Sequence, residues 1–206
     1  MTAFWENWRH RAASAQGVVF DYGGVIARAP GADWRLYDSA EACGLPRARL
    51  AEGFARWRRA YDVGEMTCAE MFARVFAEAG VAVSGAQIAA LVDEEQRGWQ
   101  NLVPETLDFM RRLKADGKRL GVLTNMHEEF YRNRYAENAA AFRELLDAEV
   151  VSGIERIGKP DRMIFDVAAS RMGLPPERLL FLDDNAANVE GARAAGWQSE
   201  LFRLED

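Results

Sequence analysis

The ten residues GVVFDYGGVI, positions 17–26, constrain this chain more than any other segment. Gly17 to Phe20 make a short, uninterrupted apolar run, the pattern of a strand buried in a sheet core. The run ends on a single carboxylate, Asp21, and Gly23 and Gly24 follow at once, which enforces a sharp turn. In open α/β sheets, ligands bind beyond the carboxyl ends of the strands. Asp21 therefore stands where a nucleophile or a metal ligand would stand, next to glycines that let a ligand approach the backbone closely. The alternative use of such an aspartate is to cap a helix.

The rest of the chain supplies the partners this strand needs. Between about residues 30 and 100 no strand competes, and four stretches read as helices: DWRLYDSAEACGL, PRARLAEGFARWRRAYD, TCAEMFARVFAEAG and SGAQIAALVDEEQRGW. Asp33, Pro46, Thr67 and Ser84 suit their starts, and Gly44 and Gly80 suit their stops. Beyond residue 100 helices and strands alternate. PETLDFMRRLKADG reads as a helix, KRLGVLTN as a strand, and a helical stretch runs to about 146. AEVVS, RLLFLDD and QSELFRL are the remaining strands, separated by PDRMIFDVAASRMG and NAANVEGARAAG as helices. Such alternation implies an α/β fold, a Rossmann-like doubly wound parallel sheet. Its expected core is 17–29 with 100–206; residues 30–99 form a helical cap subdomain inserted after the first strand, and 1–16 an N-terminal extension. The insertion is too long for a connecting loop, so it is expected to fold on its own hydrophobic centre.

With 206 residues, 49% of them hydrophobic, there is material for one sizeable core, or a core plus a smaller subdomain. A net charge of -6 speaks against a nucleic-acid partner held by general electrostatics. No apolar run approaches the roughly 18 residues of a membrane span, and the N-terminus, with charges among its aromatics, lacks the apolar centre of a signal peptide. Cys43 and Cys68 are too few for a disulfide framework and read as free thiols of a reducing cytoplasm. The expectation is a cytoplasmic monomer or small homo-oligomer with no membrane or nucleic-acid partner. Trp5 and Trp8 are expected to pack an N-terminal helix on the core or on a partner chain.

Three further strand ends deliver polar groups to the edge that carries Asp21. KRLGVLTN ends on Thr124 and Asn125, a hydroxyl and an amide suited to phosphate oxygens, or to capping the next helix. The segment after AEVVS brings Lys159, a point cation that can hold an anion or simply lie in solvent. RLLFLDD ends on Asp183 and Asp184, with Asn185 and Asn188 opening the next helix. Adjacent carboxylates repel unless a cation compensates them. With Asp21 beside them they make an all-oxygen set, which suits Mg²⁺ better than zinc.

FDYGGV, LTN, GKP and FLDDNAANVEGA, in this order, resemble the four motifs of the haloacid dehalogenase-like (HAD) hydrolase superfamily, over residues 17 to about 202. The helical insert resembles that superfamily's C1 cap in position and kind, as in its subfamily I. The stretch GKPDRMIFDVAASRMGLPPERLLFLDDNAANVEGARAAGW is similar to the bacterial branch that includes α-D-glucose-1-phosphate phosphatase. The resemblance implies a phosphatase of a small phosphorylated metabolite, possibly a sugar phosphate, in which Asp21 attacks phosphorus and water then hydrolyses the aspartyl-phosphate. It implies Mg²⁺ held by Asp21, the Gly23 carbonyl and Asp184, with Asp183 as a further or water-mediated ligand. Thr124, Asn125 and Lys159 would bind the phosphoryl group, Lys159 would also offset the gathered negative charge, and Asn188 would stand behind the ligands.

One departure has a chemical consequence. Most phosphatases of the superfamily carry a second Asp two places after the nucleophile, as general acid for the leaving oxygen; here that position is Gly23. Loss of such an acid removes about 10²–10⁴ in rate. A substrate with an acidic leaving group should suffer least, and His127 is a candidate replacement donor. Trp34, Arg35, Tyr37, Arg56, Trp57 and the turn from Asp62 to Thr67 are candidate cap contacts to substrate. Two alternatives stand beside the phosphatase: a metal-independent 2-haloacid dehalogenase, whose branch also lacks the second Asp but replaces the late acidic pair, and a non-catalytic phospholigand-binding protein.

Overall fold

The structure, a computed structural model, describes residues 3–204. Its frame is a five-stranded, wholly parallel sheet in the order β3-β2-β1-β4-β5, from β1 (Gly17–Phe20), β2 (Arg119–Thr124), β3 (Ala148–Val151), β4 (Leu179–Asp183) and β5 (Gln198–Leu201). This is the doubly wound α/β architecture. Side-chain alternation along each strand feeds two cores. Val18, Phe20, Leu120, Val122, Leu180 and Leu182 face α1 (Ala3–Arg11) and α6 (Pro104–Ala115). Val19, Leu123, Leu179 and Phe181 face α10 (Arg162–Met172) and α11 (Ala186–Ala194). Trp5 and Trp8 join the first of these cores against Phe109 and Phe202. Cys43 and Cys68 are both free.

Four helices leave the sheet after β1: α2 (Arg35–Ala42), α3 (Arg47–Asp62), α4 (Cys68–Glu78) and α5 (Gly85–Gly98). They close on a centre of their own, with Leu36, Leu50, Phe72, Phe76 and Leu91 buried together. Capping boxes start two of them, Thr67 with Glu70 and Ser84 with Gln87, each side chain accepting from the other's backbone. Asp33 caps nothing: α2 begins after Trp34 without a side-chain cap. The two chain segments joining the insertion to the sheet pair with each other, Arg28 N–H donating to Asn101 and Val103 N–H to Ile26.

The helical stretch expected to reach 146 is not continuous. Short turns α7 (Glu128–Phe130) and α8 (Ala136–Ala139) flank a π-helical turn over Tyr131–Tyr135, and a 3₁₀ turn follows over Arg143–Leu145. The π turn stacks Tyr131 on Tyr135 at 5.2 Å and buries Tyr135 with its hydroxyl donating to Glu149. Aromatic packing thus overrides the regular helical period. One further turn, α9 (Ser152–Glu155), ends at Arg156, which adopts a left-handed φ of 59° and reaches the Gly64 carbonyl of the insertion.

Candidate active site

The parallel register brings the carboxylates together. Phe20 pairs with Leu182, so one step further Asp21 and Asp183 lie side by side at the sheet's carboxyl edge. Oxygens of Asp21, Asp183 and Asp184 lie within 4.8 Å of one another. Lys159 enters between two of them, its Nζ 2.9 Å from Asp21 Oδ1 and 2.6 Å from Asp183 Oδ2, with the ammonium fully buried. Burial alone would lower the Lys159 pKa, but the two carboxylates outweigh it and the pKa is raised. Burial pushes Asp21 up to about 7 against the opposing pull of Lys159, and raises Asp184 as well, with Asp183 adding to both.

The other residues expected at this edge are present with distinct jobs. Asn188 donates to both oxygens of Asp183, at 3.2 and 3.0 Å, and the Asn185 N–H adds a third donor. Neither Asp183 nor Asp184 caps α11; the Asn185 side chain does. Asn125 uses both ends of its amide on the Lys159 backbone, accepting from its N–H at 2.7 Å and donating to its carbonyl at 2.9 Å. It fixes the loop that aims Lys159 and also lines the cavity, beside the buried Thr124 hydroxyl. The following turn is capped by His127, not by Thr124 or Asn125: its Nδ1 accepts from Glu129 N–H, while its ring stacks on Tyr61 at 4.6 Å. Burial holds the His127 pKa below the ordinary histidine value.

Glycine suits both positions of the turn after Asp21, for different reasons. Gly24 has φ +74°, and a Cβ there would fall 2.1 Å from Asp184 Oδ2, so the carboxylate packs on bare backbone. At Gly23 a Cβ would meet the Trp99 ring at 2.9 Å. The indole fills the place that a second aspartate would need.

A cavity of about 310 Å³ opens over Asp21, Thr124 and Asp184, and its opposite wall belongs to the insertion. That wall is Arg58, Tyr61 and Asp62 from α3 with Glu95 and Trp99 from α5 and its end. Arg58 Nε reaches both oxygens of Asp62, at 2.8 and 2.9 Å, and its guanidinium lies 5.5 Å from the Trp99 ring centre. Glu95 is 2% exposed and accepts from Trp99 Nε1 at 3.1 Å and from the Tyr61 hydroxyl at 3.2 Å. Burial pushes its pKa up to about 7, against the opposing pulls of Arg58, Trp99 and Tyr61. Ser152 seats the wall on the sheet, accepting from Met126 N–H and donating to the Asp62 carbonyl at 2.6 Å.

Of the insertion residues proposed from sequence, Asp62 alone lines this cavity. Arg35 and Arg56 are largely exposed and pair with Glu94 and Glu78. Trp57 donates to the same Glu78, and Trp34 and Tyr37 pack on the insertion's own centre. The sequence reading passed over Arg58, Tyr61, Glu95 and Trp99. Two spacings could have found all but Tyr61: Arg58–Asp62 and Glu95–Trp99 are i,i+4 pairs, which share a helix face.

Comparison with known proteins follows the same geometry. The pattern of haloacid dehalogenase-like hydrolases matches residues 9–196. The chain belongs to this family. It is 29% identical over 203 residues to mouse (Mus musculus) acyl-CoA dehydrogenase family member 10, covering 92% of this chain and 18% of that one. It is 36% identical over 97 residues to an (S)-2-haloacid dehalogenase of Pseudomonas putida, covering 45% of this chain and 40% of the relative. It is 30% identical over 141 residues to a phosphoserine phosphatase of Thermus thermophilus, covering 66% and 56%. The chain thus spans well under two thirds of each of these three relatives. A HAD-family enzyme of Bacteroides thetaiotaomicron, solved with magnesium and inorganic phosphate, shares the fold at a TM-score of 0.68 and 18% identity, covering 93% of this chain and 96% of that one. The chain is a HAD-family hydrolase, with phosphatases and dehalogenases among its relatives. Among the described residues no helix is long and apolar enough to cross a membrane.

Proposed function

We propose that the protein is a Mg²⁺-dependent phosphatase of a small phosphorylated metabolite, of the sugar-phosphate kind, working through an aspartyl-phosphate on Asp21. The observation that carries this reading is the Asp21–Lys159–Asp183 arrangement at the strand ends, with Asp184 beside it. Residues 30–99 act as its C1-type cap, and the stretch from Gly158 to Trp197, which opens on GKP and closes on GARAAGW, supports a place near the glucose-1-phosphate phosphatase branch. The same reading makes it a cytoplasmic monomer or small homo-oligomer.

The residues present fit a hard divalent cation. The donor set is all oxygen, its members are close enough to share one ion, and Gly24 leaves the space that the Asp184 carboxylate occupies. Asp21, Asp183, Asp184 and the Gly23 carbonyl would hold Mg²⁺, which supplies charge neutralisation for the phosphoryl oxygens when bound. A carboxylate oxygen of Asp21 attacks phosphorus, and the bond from phosphorus to the leaving oxygen breaks. Water then hydrolyses the acyl phosphate and frees Asp21. Thr124, Asn125 and Lys159 bind the phosphoryl oxygens, Lys159 holding the Asp21 carboxylate in its attacking position. Asn125 positions Lys159, and Asn188 positions Asp183. His127 serves as a helix cap and as the plate on which Tyr61 stacks.

Phosphate release from a panel of phosphorylated metabolites, with and without Mg²⁺, tests this reading in wild type and Asp21→Asn. Magnesium-dependent turnover that falls at least about 10⁴-fold in the variant supports it. A second reading, 2-haloacid dehalogenase, is favoured by the absence of an acid at Gly23 and by the dehalogenase relatives. Metal-independent halide release from 2-haloacids, with no phosphate release, would establish that reading instead. Tight phosphate binding without turnover of either kind would leave a phospholigand-binding protein.

A further inference from the structure

The acid that Gly23 lacks has a counterpart across the cavity. Trp99 closes the space above Gly23, since any Cβ there would meet its ring at 2.9 Å. The same indole donates to Glu95 one helical turn earlier, at 3.1 Å, and Glu95 faces the cavity that holds Asp21. We propose that Glu95 is the proton donor to the leaving oxygen, so that the general acid of this enzyme comes from the cap instead of the loop after Asp21. The inference rests on the phosphatase reading above.

Three features of the site support it. Glu95 is buried, yet among the described residues no cation is paired with it: Arg58 directs its Nε at both oxygens of Asp62. Its two oxygens accept from Trp99 and from the Tyr61 hydroxyl, uncharged donors that orient the carboxyl and whose pull toward the ionised form is outweighed by burial. The charged and titratable groups facing it are Arg58, Tyr61 and Asp62 on α3 and Cys68 on α4. Their balance with burial leaves a carboxyl that still carries its proton near neutral pH, as a general acid must.

The proton balance closes over one turnover. In the first half, the Asp21 oxygen bonds to phosphorus, the ester bond breaks, and the leaving oxygen takes the Glu95 proton and departs as an alcohol. In the second half, water attacks the aspartyl-phosphate and gives a proton back to the Glu95 carboxylate. Phosphate and the original carboxyl are restored. On this account the enzyme does not depend on an acidic leaving group, although Gly23 taken alone predicts that dependence.

The test is Glu95→Gln, which keeps the shape and an acceptor for Trp99 but has no acidic proton. The full chain is assayed with saturating Mg²⁺ on an alkyl phosphate such as glycerol phosphate and on 4-nitrophenyl phosphate. The expected loss in kcat is about 10²-fold or more on the alkyl ester and only several-fold on the aryl ester, whose leaving group needs little protonation. Trp99→Phe keeps the ring and the carboxyl but removes one donor to the carboxylate. In this variant the basic limb of the alkyl-ester pH profile should move upward. Equal losses on both esters, no loss on either, or an unmoved basic limb in Trp99→Phe would each overturn the inference while leaving the phosphatase intact. No phosphate release by wild type from either ester removes the phosphatase reading, and this inference with it.

Discussion

Two buried carboxylates near one cavity, Asp183 at a strand end and Glu95 on a helix of the insertion, are satisfied in contrasting ways. Asp183 receives an ammonium at 2.6 Å, a backbone N–H and both contacts of the Asn188 amide. Glu95 receives one indole N–H and one phenol. A buried charge is tolerated when it is paired and fully hydrogen-bonded; a buried carboxyl lacking a cation tends to keep its proton. The surroundings of Asp183 are thus organised to hold charge, and those of Glu95 to hold a neutral acid. Four substitutions or pairs of substitutions probe that contrast.

The largest effect should follow from Lys159→Met. It leaves Asp21 and Asp183 buried without their shared cation, which costs on the order of 3–5 kcal/mol. Urea unfolding in the absence of divalent cations measures it, and turnover should vanish together with the stability. A cost below about 1 kcal/mol would show that the sheet edge is not organised around this charge.

Next comes the pH dependence of Glu95. Its folded pKa of about 7 lies above the ordinary 4.5, so its stabilising contribution is complete below the lower value. That contribution is lost as pH rises through the upper one, because the unfolded chain ionises first. Wild type should therefore lose stability relative to Glu95→Gln between pH 4.5 and 8, by on the order of 2–3 kcal/mol. Urea titrations of the two proteins at several pH values give the difference directly. A flat difference would mean that Glu95 is ionised in the fold like an ordinary surface carboxylate.

These two sites also differ in how far they could be read from the sequence. Asp21, Thr124, Asp183 and Asp184 sit at or just beyond strand ends, Lys159 follows β3 by way of the α9 turn, and parallel pairing gathers strand ends at one edge whatever the twist of the sheet. The order of strands and motifs therefore implied their meeting before any coordinate. The role of Asn125 did not follow, since an amide after a strand serves a ligand or the Lys159 backbone equally well in sequence. The insertion wall was hidden for a different reason. Which face of α3 and α5 turns to the sheet depends on how four helices pack, and exposed Arg56 and cavity-facing Arg58 stand two residues apart. The π turn at Tyr131–Tyr135 was likewise a product of aromatic packing, with no signal in the helical period.

A smaller and more local effect links the two regions. Gly23→Ala should cost about 1–2 kcal/mol, because its Cβ would press on the Trp99 ring at 2.9 Å. In a Trp99→Ala background the same substitution should cost almost nothing. A double-mutant cycle in urea yields the coupling between the nucleophile loop and the insertion. Additive costs would mean that Trp99 moves aside freely, and that a second aspartate could be accommodated after all.

The smallest effects belong to the exposed arginines. Arg35→Ala and Arg56→Ala remove ion pairs whose arginine side chains are 78% and 60% exposed, to Glu94 and Glu78 respectively. Exposed pairs of this kind are screened and contribute at most about 1 kcal/mol. Both variants should keep wild-type stability within that limit and change kcat/KM for the best phosphate ester by less than about twofold. The contrast is with Arg58→Ala, two residues from Arg56, which strips the cation from buried Asp62 and should raise KM severalfold. If Arg56→Ala instead weakened substrate binding as much as Arg58→Ala, α3 would have to turn its other face to the sheet in the working enzyme. The wall that carries Glu95 would then exist only in the resting arrangement.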